Sequence, residues 1–159
     1  MNDEPTGRPL FGFGPDTVLF GIGNSGREDD GLGWAFLDRV ERETEFPGRL
    51  KYRYQLQIED AESVSRADGV LFVDSYQGDL PGGFQWKRCE PSAGIEFTSH
   101  QLPPGAILHL CRVLYGKLPP SQLLLIAGRS WHLRSGLSPE ARLNLDHAVR
   151  FFRDQLPQF

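Results

Sequence analysis

Thr17 to Gly23, TVLFGIG, is the stretch on which the fold turns. It is a short apolar run rich in strand formers, without polar alternation, and it closes on a glycine-bearing turn. Such a run predicts a strand buried on both faces. Downstream, Asp30 to Glu43 puts Leu32, Phe36, Leu37 and Val40 at helical spacing with charges on the other side, which predicts an amphipathic helix. The same alternation continues along the chain. Leu50 to Ile58 (LKYRYQLQI) alternates imperfectly and predicts a more exposed strand, followed by a short helix around Asp60 to Arg66. Gly69 to Asp74 (GVLFVD) reads as a second buried strand, again ending at an acid, and Gly82 to Pro91 as an edge strand or extended excursion bounded by glycine and proline. Pro103 and Pro104 suit the entry to a helix that places Ile107, Leu110, Cys111 and Leu114 on one face. Leu123 to Gly128 (LLLIAG) is a further buried strand. Ser138 and Pro139 form an N-cap and first-turn pair for a last helix with inner stripe Ala141, Leu145, Ala148, Val149 and Phe152.

Buried strands alternating with amphipathic helices imply a single-domain α/β fold with a mainly parallel sheet covered on both faces. The 159 residues are enough for one sizeable core and too few for two. Met1 to Asp16, with its acids, prolines and glycines, is expected to be a flexible leader, and residues 17 to 159 the domain proper. Seventeen basic against 21 acidic side chains, without a block of like charge, make nucleic acid and anionic membranes unexpected partners. No apolar run approaches the roughly 18 residues that suggest a membrane span. Cys89 and Cys111 are far apart and outside any Cys-x-x-Cys spacing, so neither a disulfide framework nor a thiolate zinc site is expected, and the natural compartment is cytoplasmic.

In an open α/β sheet, ligands bind outside the carboxyl ends of the strands. Glu28, Asp29 and Asp30 follow the first strand, and Asp74 closes the central one. Carboxylates gathered there repel one another, and a cation is their natural counter-charge. His100, before the next helix, can add an imidazole nitrogen. Two oxygens and a nitrogen with open positions suit a divalent transition metal, and ligand type alone does not separate nickel, iron and zinc. The structural alternative is that Asp29 or Asp30 caps the first helix, Asp74 closes a turn and His100 is a surface residue. For Glu28 and Asp29, capping and solvated charge are the expectation.

Gly21-Ile22-Gly23-Asn24-Ser25-Gly26 has the outline of a dinucleotide fingerprint, but the three carboxylates that follow would face the phosphates. Ser99-His100 and Asp146-His147 are chain neighbours, which rarely meet as a catalytic relay. His109, His132 and His147 lack partners at ligand spacing. Cys111 reads as a small core residue and Cys89 lacks an activating base. Most tryptophans are explained as core, although Trp131, after a strand, is placed to line a cleft.

Taken in order and spacing, GIGNSGREDDGLG (Gly21 to Gly33), GVLFVD, TSHQL (Thr98 to Leu102), LLLIAG and GLS (Gly136 to Ser138) resemble the hydrogenase maturation proteases, over nearly the whole chain from Thr17. The resemblance implies a twisted five-stranded sheet between helices of the phosphorylase/hydrolase-like type. It also implies an endopeptidase that removes the C-terminal extension of a [NiFe] hydrogenase large-subunit precursor. In that family an acid six residues beyond the Gly-Asn turn, an acid on the third strand and a histidine before the next helix bind nickel. The matching positions are Asp30, Asp74 and His100, which are therefore the candidate metal ligands and candidate catalytic set. Nickel would arrive already held by the precursor's own thiolates. One departure stands out: many members carry Asp-Gly-Gly-Thr after the second strand, where this chain has Tyr54 to Asp60, YQLQIED, resembling a branch with a glutamine-based loop. The rival expectations are a nonenzymatic nickel-binding module and a nucleotide-binding α/β module.

Overall fold

A computed structural model describes residues 7–93 and 102–156. Five strands form one sheet in the order β2-β1-β3-β5-β4, where β1 is Thr17–Ile22, β2 Arg49–Arg53, β3 Gly69–Gln77, β4 Phe84–Arg88 and β5 Ser121–Gly128. All pairings are parallel except β4 against β5, so the excursion after β3 is an antiparallel edge strand. Helices α1 (Leu32–Glu43) and α4 (Pro139–Gln155) cover one face, and α2 (Asp60–Ser65) and α3 (Pro104–Tyr115) the other. No helix among the described residues is long and apolar enough to cross a membrane.

The uninterrupted apolar runs are divided by the two-residue period of a strand. Leu19, Leu71 and Val73 face α1 and α4, whereas Val18, Phe20, Val70 and Phe72 face α2 and α3. Phe20 and Phe72 stack at 5.3 Å across the β1–β3 pair. On α4 the expected stripe Ala141, Leu145, Ala148, Val149 and Phe152 is buried, and the Ser138 hydroxyl caps the helix by accepting from the Ala141 N–H at 3.2 Å. On α3 the buried face is Ala106, Ile107, Leu108 and Cys111; Leu114, expected inward, is 56% exposed in the last turn of the helix, which ends at Tyr115.

Three boundaries move. The strand expected over Leu50 to Ile58 stops at Arg53, because the Asp60 carboxylate accepts the Gln57 N–H (2.8 Å) and pairs with Arg53 Nε (3.0 Å), folding residues 54–59 back as a loop. β3 does not end at Asp74 but pairs with β5 as far as Gln77 and Gly128. The third concerns the leader. Residues 7–16 lie against the sheet: the Gly7 N–H donates to the Trp86 carbonyl at 2.8 Å, and the Gln122 amide exchanges bonds with Leu10 and Arg8. Phe13 is buried in the α1/α4 core, stacked 5.0 Å from Phe152. Packing thus begins before Thr17, and the glycines and prolines around Phe11 and Phe13 had masked two core aromatics. Phe13→Ala should cost about 3 kcal/mol in urea denaturation; a change under about 0.5 kcal/mol, the usual range at the surface, would restore a passive leader.

Candidate metal-binding cleft

Period two decides where Asp74 points. It follows Val70 and Phe72 on the α2/α3 side of β3, past the end of that core layer. Asp30 reaches the same place by a different route. The chain leaves β1 through Gly23, whose φ of +133° and whose closeness to the Asp30 carbonyl, 2.0 Å from an added Cβ, leave room for glycine only. A 3-10 turn over Glu28–Gly31 then leads into α1. Gly33 lets α1 touch the strand ends, since a Cβ there would meet the Val73 and Ile22 carbonyl oxygens at 2.6 and 2.7 Å.

The result is a cleft of about 410 Å³ at the carboxyl edge, walled by Asp30, Asp74, Ile22, Gly23, the loop residues Tyr54, Gln55 and Leu56, and the start of α3 at Leu102, Pro103 and Pro104. Burial raises the Asp74 pKa to about 7; the Ser75 N–H, donating to Asp74 Oδ1 at 2.8 Å, opposes this and the negative charge of Asp30 adds to it. Neither acid is a helix cap: α1 has no side-chain cap, and Asp30 Oδ2 accepts the Asn24 N–H at 2.9 Å. Nor does Asp74 close a turn, since it lies within β3. His100 lies outside the described residues, as does Ser99. Among the described residues no group of three metal-ligating side chains assembles.

The glycine turn is committed to its own side chains. Asn24 N–H is taken by Asp30, and the Gly26 N–H by Asn24 Oδ1 at 2.8 Å. Amides occupied in this way do not offer the free cradle that a pyrophosphate needs.

Glu28 and Asp29, expected to be capping or solvated acids, are buried at 6% and 0% exposure and hold the loop after β5. Asp29 Oδ2 accepts the N–H groups of Arg129 (2.6 Å) and Ser130 (2.9 Å) and the Ser138 hydroxyl (2.7 Å), while Oδ1 accepts the Ser138 N–H (2.7 Å). Burial by itself would push its pKa up, but these bonds outweigh it and hold the carboxyl below its ordinary value. Glu28, at a φ of +46°, accepts the His132 N–H at 2.9 Å and pairs with Arg134 at 3.2 Å. Trp131 is not in the wall of the cleft; its carbonyl accepts from Arg27 Nε at 3.0 Å.

The remaining candidates separate from the cleft. Asp146 pairs with Arg39 at 2.7 Å and the half-buried His147 lies 3.1 Å from the Gly82 carbonyl, so they form no relay. Burial and the neighbouring Glu90 raise the Cys89 pKa to about 11, with Lys87 opposing, and burial raises that of Cys111, so neither thiol is poised as a thiolate. Tyr54, Gln55 and Leu56, which the alternating pattern places in a strand, line the cleft instead; the signal in the sequence is Asp60, whose carboxylate accepts the Gln57 N–H and turns the chain ahead of α2.

The same sheet order, helices and carboxyl-edge cleft can be compared with solved structures. The [NiFe] hydrogenase maturation protease HycI from Thermococcus kodakarensis KOD1 superposes with a TM-score of 0.68 at 22% identity, covering 88% of this chain and 91% of that one. The chain has the fold of the hydrogenase maturation proteases. The hydrogenase maturating endopeptidase HybD from E. coli gives a TM-score of 0.66 at 16% identity over 86% and 88% of the two chains. A hydrogenase 2 maturation peptidase from Thaumarchaeota archaeon SCGC_AB-539-E09 gives 0.63 at 21% identity over 87% and 96%. No protein-family model and no curated relative matches the sequence.

Proposed function

We propose that this protein is an endopeptidase that recognises nickel in the immature large subunit of a [NiFe] hydrogenase and removes its C-terminal extension. The observation that carries this is the meeting of Asp30 and Asp74, from two separate elements, in one cleft of the shared fold. Two carboxylates in a partly desolvated cleft favour a divalent cation as counter-charge. His100, chosen from the order of motifs in the sequence, is the third ligand in this reading. Nickel belongs to the substrate: bound by precursor thiolates, it presents open coordination positions to Asp30, Asp74 and His100. A precursor without metal lacks that central contact and leaves the acids facing no counter-charge, which is how loading would license cleavage.

The test follows processing of apo and nickel-loaded precursor by gel mobility, with calorimetric nickel titration of Asp30→Ala, Asp74→Ala and His100→Ala. Loaded precursor should be cut and apo precursor left intact, and each variant should lose about tenfold or more in nickel affinity, a change of about 1.4 kcal/mol. Equal processing of both precursors, or unchanged affinity in all three variants, would sink the assignment. Nickel binding without cleavage would leave the nonenzymatic module instead.

A further inference from the structure

Tyr54 follows β2 directly and forms part of the wall of the cleft that holds Asp30 and Asp74. A tyrosine that is 66% exposed ordinarily turns freely, but this ring stacks on Trp34 with centroids 5.0 Å apart and planes inclined by 26°. Trp34 is itself held: its Nε1–H donates to the Arg53 carbonyl at 2.9 Å, and its ring meets Tyr52 edge-on at 5.6 Å. Tyr52 is tied in turn, its hydroxyl donating to Asp38 at 2.8 Å. Three rings thus brace α1 against the end of β2, and the last of them leaves one face uncovered.

A ring fixed in this way has already lost the rotamer freedom that binding would remove, so its apolar contact comes at low entropic cost. Rigid aromatics beside a polar centre are the residues that most often dominate binding energy. The cleft is divided accordingly. Its acidic end suits a cation, while Leu56, Leu102 and Pro103, together with the polar Gln55, line the wall around Tyr54.

Resting on the endopeptidase reading above, we propose that Tyr54, held in place by Trp34, is a substrate-anchoring residue that receives an apolar side chain of the precursor segment next to the metal. The peptide is then held at two points, one ionic and one apolar, across the cleft. Because the second contact carries no charge, its contribution should persist at high salt, where exposed ionic contacts are screened.

The experiment compares wild type, Tyr54→Ala and Tyr54→Phe on nickel-loaded large-subunit precursor, reading affinity by fluorescence anisotropy and cleavage by steady-state kinetics at low and high salt. Tyr54→Ala should raise Kd and KM by about tenfold, with kcat and calorimetric nickel affinity held within about twofold and Tyr54→Phe close to wild type. Unchanged Kd and KM in Tyr54→Ala overturn the proposal, as does a loss that Phe fails to rescue. If wild type binds precursor without cutting it, the endopeptidase reading fails while Kd still decides the role of Tyr54. If wild type does not bind precursor at all, both fall.

Discussion

Asp29→Ala should lower stability by about 4 kcal/mol in urea denaturation and broaden or abolish the cooperative transition. Asp29 is fully buried and is the common acceptor for three backbone N–H groups and one hydroxyl on the segment from Arg129 to Ser138. Truncation strands those donors, and each buried unsatisfied polar group costs about 1–3 kcal/mol, offset in part by water entering the space. Asp29→Asn should also destabilise, because its NH2 group replaces one accepting oxygen and faces a donor. The pH dependence has a definite sign. The folded-state pKa is lowered, so the contribution is present above the ordinary carboxylate pKa of 3.8 and is lost as pH falls through the lower folded value. The wild-type advantage should therefore be constant across neutral pH and shrink only in strong acid. A variant as stable as wild type at pH 7 would show that the loop after β5 does not depend on this carboxylate.

Asp74→Asn should do the opposite and stabilise the metal-free protein at pH 8. Burial raises the Asp74 pKa from 3.8 to about 7. A folded-state pKa above the unfolded one means stability that is complete below about pH 4 and falls as pH rises to about 7, since the unfolded chain releases its proton first. At about 1.4 kcal/mol per unit, the ionised side chain costs on the order of 4 kcal/mol above pH 7. Asparagine removes that cost and keeps the oxygen that accepts from Ser75. Thermal denaturation from pH 4 to pH 8 is the measurement: the two proteins should converge at the acid end, with the variant melting higher at the alkaline end. Equal melting temperatures at pH 8 would show that Asp74 is well solvated when ionised. The pair of substitutions also separates two kinds of acid, one buried and satisfied by the fold and one partly desolvated and left short of a counter-charge at the cleft.

Much of this was legible locally. Apolar runs at 17–23, 69–74 and 123–128 mark the three central strands, because a strand covered on both faces requires apolar residues without alternation. Ser138-Pro139 marks the start of α4 because capping is a matter of adjacent residues. The carboxyl-edge position of Asp30 and Asp74 follows from the same strands, since each acid lies just beyond or within the strand end that delivers it.

What the sequence by itself determined is therefore the α/β class, the central strands, the main helix faces and the gathering of acids at the carboxyl edge, all set by periodicity and near neighbours. Only the tertiary structure decided the order β2-β1-β3-β5-β4, the antiparallel edge, the seating of Phe13 and the separate duties of Asp29 and Asp30. Those two aspartates are adjacent in the chain and identical in chemistry. One meets amides from residues 129–138 across the fold and the other faces a cleft, because burial and hydrogen bonding depend on partners that folding brings from about a hundred residues away.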